Sequence, residues 1–361
     1  MVVSVAEDLP GYGVQYERLT FKDNWDWFIH VQDPRDVFLA QPTYLISEFI
    51  FYTLGILTLI HSFLVGGRWK YFWLGTLIHG LTTESLSFFL PDIDNYWHSQ
   101  TSVMLLGRRL PLHIAFLYPA FMYNAAYMVA HLKLAKWVQP MAVRYFSSLP
   151  ILFSRVGKEI LCAVLAGLCG MPGGVLQFIV LYHPLHDMLG IHTENCVFLI
   201  IAFYFLLVWE ADRSSPTGSR RQKGDKTHWS VGLLVLGLLL HYSLYLGMAV
   251  FGHPEREVSM GLHEKPGNCS QISDTLKKRT YLCLKDYDEK YFDFHCLKSP
   301  PKNGVEWYTI CGTPFENREE YSTMILGITV TAIFIYYNLL FRSAPTIKYG
   351  PSKAEKKLKT K

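Results

Sequence analysis

The chain has 361 residues and a net charge of +4; half of its residues are apolar, 15% are aromatic and 18% are charged. Soluble domains average about 25% charged residues, and here the deficit is concentrated in apolar runs long enough to cross a bilayer core. Lys and Arg cluster beside those runs, which suits determinants of membrane topology and argues against a nucleic-acid partner.

Residues 1–42 hold Asp, Glu and aromatic residues, with no basic start and no short apolar core before a small-residue cleavage site. No cleavable signal peptide is expected, so the first span targets itself. Apolar runs predict seven spans, at 43–64, 70–90, 111–131, 159–182, 194–210, 229–252 and 321–341. Each is expected to be helical, because lipid offers no hydrogen bonds to bare backbone. The expected fold class is therefore all-α: a polytopic transmembrane bundle with a small disulfide-bearing lumenal loop. Residues 43–252 form a six-span core, 253–320 the lumenal loop, 321–341 the seventh span and 342–361 a basic tail. In the fourth span, Pro172 sits among Gly167, Gly170, Gly173 and Gly174. Such residues suit close helix packing or a broken helix lining a cavity. Segment 132–158 mixes Trp137, Tyr145 and Phe153 with basic residues, as a helix at the cytosolic interface would.

Loops 65–69, 132–158 and 211–228 and the tail are rich in Lys and Arg, whereas loop 91–110 has only Arg108 and Arg109 and loop 183–193 has neither type. The positive-inside rule places the rich set in the cytosol and the N-terminus in the lumen. Loop 253–320 contains Cys269, Cys283, Cys296 and Cys311. Four cysteines there suit two disulfides in an oxidising compartment, with three pairings open. The same loop carries the sequon Asn268-Cys269-Ser270, a glycosylation candidate at Asn268. The tail ends Lys357-Leu358-Lys359-Thr360-Lys361. It resembles the dilysine retrieval signal of endoplasmic-reticulum membrane proteins, which implies that coat proteins read Lys357 and Lys359.

Ionisable groups within spans are costly and mark candidate sites. The second span holds His79, Thr82, Thr83 and Glu84. At about 100° per residue, Glu84 lies roughly 140° from His79, so the two are not a ligand pair on one helix face. The next loop brings Asp92, Asp94, Tyr96, His98, Arg108 and then His113, and the third span brings Tyr118, Tyr123 and Asn124. In the functional reading, Glu84 is the acid or base of a pocket. His79, Tyr96, His98 and His113 orient substrate or water, and Asp92, Asp94, Arg108, Tyr118, Tyr123 and Asn124 bind substrate. The bland alternative is a salt-bridged loop, worth little where exposed. His183, His186 and Asp187 suit zinc or iron by type. No histidine-rich partner sequence completes that set, so neither a metal nor another cofactor is expected. Glu48, His61 and His241 each stand alone in a span and read as packing residues.

The run from Glu84 through Asp94 and Tyr96 to Leu105-Leu106-Gly107-Arg108-Arg109-Leu110-Pro111-Leu112, with the span that follows, resembles the core of the carotenoid-biosynthesis hydratase family. The resemblance spans residues 84–124 and implies a shared helical scaffold. It matches Glu84 to that family's membrane carboxylate and Tyr96 to a loop tyrosine. The family adds water across a terminal isoprenoid double bond.

Three functions follow as expectations. The first is an endoplasmic-reticulum protein that binds or transforms a lipid or isoprenoid-like molecule in the lumenal half of the membrane. The second is a non-enzymatic adaptor, receptor or chaperone acting through loop 253–320. The third is a transporter, which needs paired polar residues on several spans.

Overall fold

The computed structural model describes residues 9–66, 69–89, 98–129, 184–191, 195, 229–262, 265–272, 279–285, 294 and 296–337. It has two parts: a group of long apolar helices, and a cap of short strands at one end of them.

The cap begins with β1 (Gln15–Tyr16), α1 (Asn24–Phe28), β2 (Ile29–Val31) and α2 (Pro34–Ala40). Both short helices start on aspartates. Asp23 accepts from the Asp26 amide at 2.9 Å, and Asp33 from the Arg35 amide at 2.8 Å, satisfying amides that lack an intrahelical partner. Pro34 then supplies a first helical residue whose missing N–H costs nothing. Pro42 does the same for α3 (Pro42–Val65), which leads away from the cap.

α4 (Trp69–Phe89) returns, and the chain forms β3 (His98–Ser99), β4 (Val103–Leu105) and β5 (Leu110–Pro111). It leaves again through α5 (Leu112–Tyr118), a π-helical turn (Pro119–Tyr123) and α6 (Asn124–Val129). α7 (Val231–Phe251) comes back to β6 (Val258–Leu262) and β7 (Trp307–Cys311), and α8 (Arg318–Tyr337) departs last. Asn317 starts α8: its side-chain oxygen accepts from the Glu320 amide at 3.1 Å, and its side-chain nitrogen donates to the Glu320 carboxylate at 3.0 Å.

Four strands make one antiparallel sheet in the order β1-β7-β6-β3, and three make another in the order β2-β4-β5. Segments far apart in sequence thus share one body. Gln15 faces Tyr308, His98 faces Leu262 and His30 faces Met104. Two disulfides, Cys269–Cys283 and Cys296–Cys311, close loops within the 253–320 region. Of the three possible pairings, the cysteines take the one that joins neighbours in sequence. Cys296 and Cys311 pack with Val258, Leu9 and Tyr12 into one of the cap's apolar clusters.

The helices pack through small residues. A Cβ on Gly55 would lie 2.4 Å from the Phe116 ring, and one on Gly80 would lie 2.4 Å from the Tyr118 ring. Those glycines let α5 approach α3 and α4 closely. At the end away from the cap, Trp73, Tyr123, Tyr127, Val231 and Leu234 form a buried cluster. There the Trp73 indole N–H donates to Thr58 Oγ1 at 2.9 Å, and Tyr123 hydrogen-bonds His61 at 2.8 Å.

The all-α seven-span bundle is overturned. Two antiparallel sheets stand where residues 1–42, 91–110 and 253–320 were expected to be loops. Among the described residues, only Pro42–Val65 and Val231–Phe251 are long and apolar enough to cross a membrane. The expected third span is interrupted by the π-helical turn that begins at Pro119. A proline cannot donate to the preceding turn, so the hydrogen-bond ladder shifts there. The expected spans 159–182 and 194–210, the interfacial segment 132–158 and the basic tail lie outside the described residues, apart from Asn195.

Candidate functional site

Glu84 lies one turn from the cap end of α4. Tyr118, at the end of α5, donates its hydroxyl to Glu84 Oε1 at 2.7 Å. The Tyr118 ring also meets the His79 ring edge to face, with centroids 5.6 Å apart. One side chain on a neighbouring helix therefore joins two residues that their own helix turns apart. Gly80, between them, has no side chain to hold that ring away. The second Glu84 oxygen is 3.9 Å from His98 Nε2, on β3. Both of these side chains are mostly covered, at 15% and 17% exposure. His98 is also within electrostatic reach of His113.

The group holds a carboxyl, a phenol and an imidazole where helices meet cap. As a carboxylate, Glu84 can accept from Tyr118 and pair with protonated His98. As a carboxylic acid it gains a donor that can be offered to a polar ligand group. At 3.9 Å the His98 imidazole is within ion-pair range of the carboxyl and beyond direct hydrogen-bond reach.

The other expected site residues are distributed differently. His113 is buried, stacked on Phe51 at 5.9 Å between centroids and edge-on to Tyr44 at 5.5 Å. Tyr123 reaches His61, and the Asn124 side chain donates to the Ala120 carbonyl at 2.5 Å, so both serve helix packing. Arg108 turns to Asp26 of α1, at 3.8 Å. It sits in the β4–β5 hairpin turn, where Leu106, Gly107 and Arg108 all have positive φ, at 51°, 67° and 59°. Only glycine takes that conformation freely. The turn is fixed by α1, whose Trp27 and Phe28 carbonyls accept from the Gly107 and Leu106 amides at 2.6 and 3.2 Å.

Asp92, Asp94 and Tyr96 lie outside the described residues, as do His183, Lys357 and Lys359. His186 and Asp187 belong to a π-helical turn, Pro184–Met188, whose backbone alone is described at those two positions. Among the described residues no three His, Cys, Asp or Glu side chains gather as metal ligands. Asn268 is exposed, and its side-chain oxygen accepts from the Ser270 amide at 3.0 Å.

Sequence reasoning missed a second polar layer. Glu48 of α3 is 2% exposed, and its Oε2 accepts from the Ser102 amide and hydroxyl at 3.3 and 3.0 Å. Nearby, Gln41 takes a hydrogen bond from Ser99 at 2.5 Å and donates to the Gln100 carbonyl. Ser259 donates to Ser99 at 2.8 Å. The available signal was the ionisable residue itself within an apolar run; its partner came from a strand-bearing loop 54 positions away.

A family model described as a domain of unknown function, DUF7802, matches residues 15–152 and 152–341. The chain belongs to the DUF7802 family. The matched residues run from β1 of the cap through α8, so both parts of the fold belong to this DUF7802 member's family-defining region. No curated protein and no solved structure matches the chain.

Proposed function

We propose that this DUF7802 protein resides in the endoplasmic-reticulum membrane, crosses it more than once, and holds a lipid or isoprenoid-like molecule against Glu84 beneath a lumenal cap. The observation that carries the binding reading is the Glu84–Tyr118–His98 group, a protonatable cluster where apolar helices give way to polar strands. Such a junction suits an amphipathic ligand, with its chain among the helices and its polar end on the carboxyl.

Membrane residence is supported by what the long helices leave uncovered. Only 39% of the apolar window of α3 and 22% of that of α7 are buried. The central helix of a soluble domain would be mostly buried. Phe49, Ile56 and Phe63 of α3 instead stay open, as do Leu236, Leu239 and Phe251 of α7. A lumenal cap agrees with its two disulfides and with the exposed sequon at Asn268.

The test is lipid mass spectrometry on purified wild type, Glu84→Gln and Tyr118→Phe. A defined lipid enriched in wild type should fall or change in Glu84→Gln, which keeps the shape and removes the acid. Tyr118→Phe should weaken retention in the same direction. Equal amounts of bulk phospholipid in all three would overturn the reading.

A further inference from the structure

We propose that residues 24–40 form an interfacial shoe, through which the cap rests on the headgroup–acyl boundary of the same bilayer that receives α3. This rests on the membrane reading above and adds a second lipid contact made by the cap itself.

Among the described residues, the cap's exposed large apolar side chains are concentrated in one stretch. Trp25, Phe28, Ile29, Val31, Phe38 and Leu39 are all open, Trp25 to 76% and Val31 to 67%. Elsewhere among the described residues of 9–41, 98–111 and 253–317, only Tyr16 and Ile272 are comparably exposed. Each short element contributes by its own periodicity. Trp25 and Phe28 are three apart on α1, so they share a helical face. Ile29 and Val31 point to one side of β2, and His30 between them points to the other. α2 buries Val37 and Ala40 against the body and leaves Phe38 and Leu39 outside. Trp27 is turned the opposite way from Trp25, against Gly107 of the hairpin.

Most charges of this stretch pair with one another or with the cap, and Asp36 of α2 is exposed. Asp26 pairs with His30 at 2.6 Å and Arg108 at 3.8 Å, and Asp33 with Arg35 at 2.8 Å. Asp23 and Asp33 cap the two helices. Beside the exposed Asp33–Arg35 pair and Asp36, the outward side chains are apolar and aromatic, and such a mixture is the composition of interfacial segments.

The stretch also leads directly into α3, whose own apolar side chains are exposed. Leu39 is three residues before Pro42, where α3 begins after the non-helical Gln41, so at most about 11 Å of chain separates them. The occupant is therefore lipid at the depth where α3 enters the membrane.

The test uses the full-length chain in phosphatidylcholine nanodiscs. An environment-sensitive fluorescent amino acid is placed in turn at the positions of Trp25, Phe38, Tyr16 and Ile56. Positions 25 and 38 should emit blue-shifted, lose emission to lipids brominated high on their acyl chains, and resist aqueous iodide. Position 16 should behave oppositely. If positions 25 and 38 follow position 16 while position 56 is quenched by lipid, the membrane reading stands and the shoe is overturned. Lack of lipid quenching at position 56 as well would remove both. Iodide protection at 25 and 38 without lipid quenching would assign the face to a protein contact and also overturn the proposal. A Trp25→Ser/Phe38→Ser variant, with a probe at Leu39, guards against misfolding. It should keep both disulfides yet open the probe to iodide.

Discussion

Individual side chains decide where the helices join the cap. Glu257, just before β6, receives the Thr43 hydroxyl at 2.6 Å and is half-buried. Burial raises its carboxyl above the ordinary range, and the hydrogen bonds from Thr43 only partly oppose that rise. A raised carboxyl favours the folded state below its unfolded value, and that contribution is lost as pH climbs through the folded value. Thermal stability of wild type relative to Glu257→Gln should therefore fall as pH rises from about 4.3, the ordinary glutamate value. Melting curves of the two proteins across pH 4–8 check this, and parallel curves would refute it. The same scale explains what could be read beforehand. Glu84 stood out because a carboxyl in an apolar run demands a reason, and its partner Tyr118 was legible as a polar residue of the third span. That Tyr118 would serve both His79 and Glu84 depends on how α5 lies along α4, which helical spacing on one segment cannot reveal. Glu48 carried the same kind of signal, but Ser102 was hidden in what read as a loop.

Among elements, the approach of α4 to α5 rests on Gly80. Gly80→Ala would place a methyl within 2.4 Å of the Tyr118 ring, so ring or helix must shift. Overpacking of this kind costs about 1–3 kcal/mol. The variant should melt lower and lose bound lipid along with Glu84→Gln. Gly247→Ala is the matched control, since nothing lies within 4 Å of the added methyl, and it should leave both properties unchanged. Helices α3 and α7 were legible because more than 20 residues of apolar sequence leave few alternatives. The strands were not. β1, β3 and β5 have two residues each, too few for alternation to register. Their stability comes from partners elsewhere in the chain, so the local pattern alone read as loop.

At the scale of the whole molecule, the cap ties segments from both ends of the described chain to the entrance of the helices. The two disulfides close separations of 14 and 15 residues, each worth about 3 kcal/mol in the chain-entropy account. Cys296→Ser/Cys311→Ser should thus lower the cap's unfolding midpoint, and it should do so more than removal of the Cys269–Cys283 pair, since Cys296 and Cys311 are both buried in the cap core whereas Cys269 is exposed. Protease protection of the cap in the oxidised protein and in the two double variants measures the order.

The pairing of the first strand with the last has a consequence for biosynthesis. The Val14 amide donates to Thr309 Oγ1 across 295 positions. At about 5–20 residues per second, the ribosome needs roughly 15–60 s to travel that far. Throughout that interval β1 has no partner, Cys296 has not yet met Cys311, and the helices between them have already had to find their places. A chain interrupted before Trp307 would keep a bare strand edge and, once past residue 296, an unpaired thiol. Among the described strands β7 emerges last, and it releases the first from waiting, so the cap closes only after β7 is made and before or while α8 takes its place.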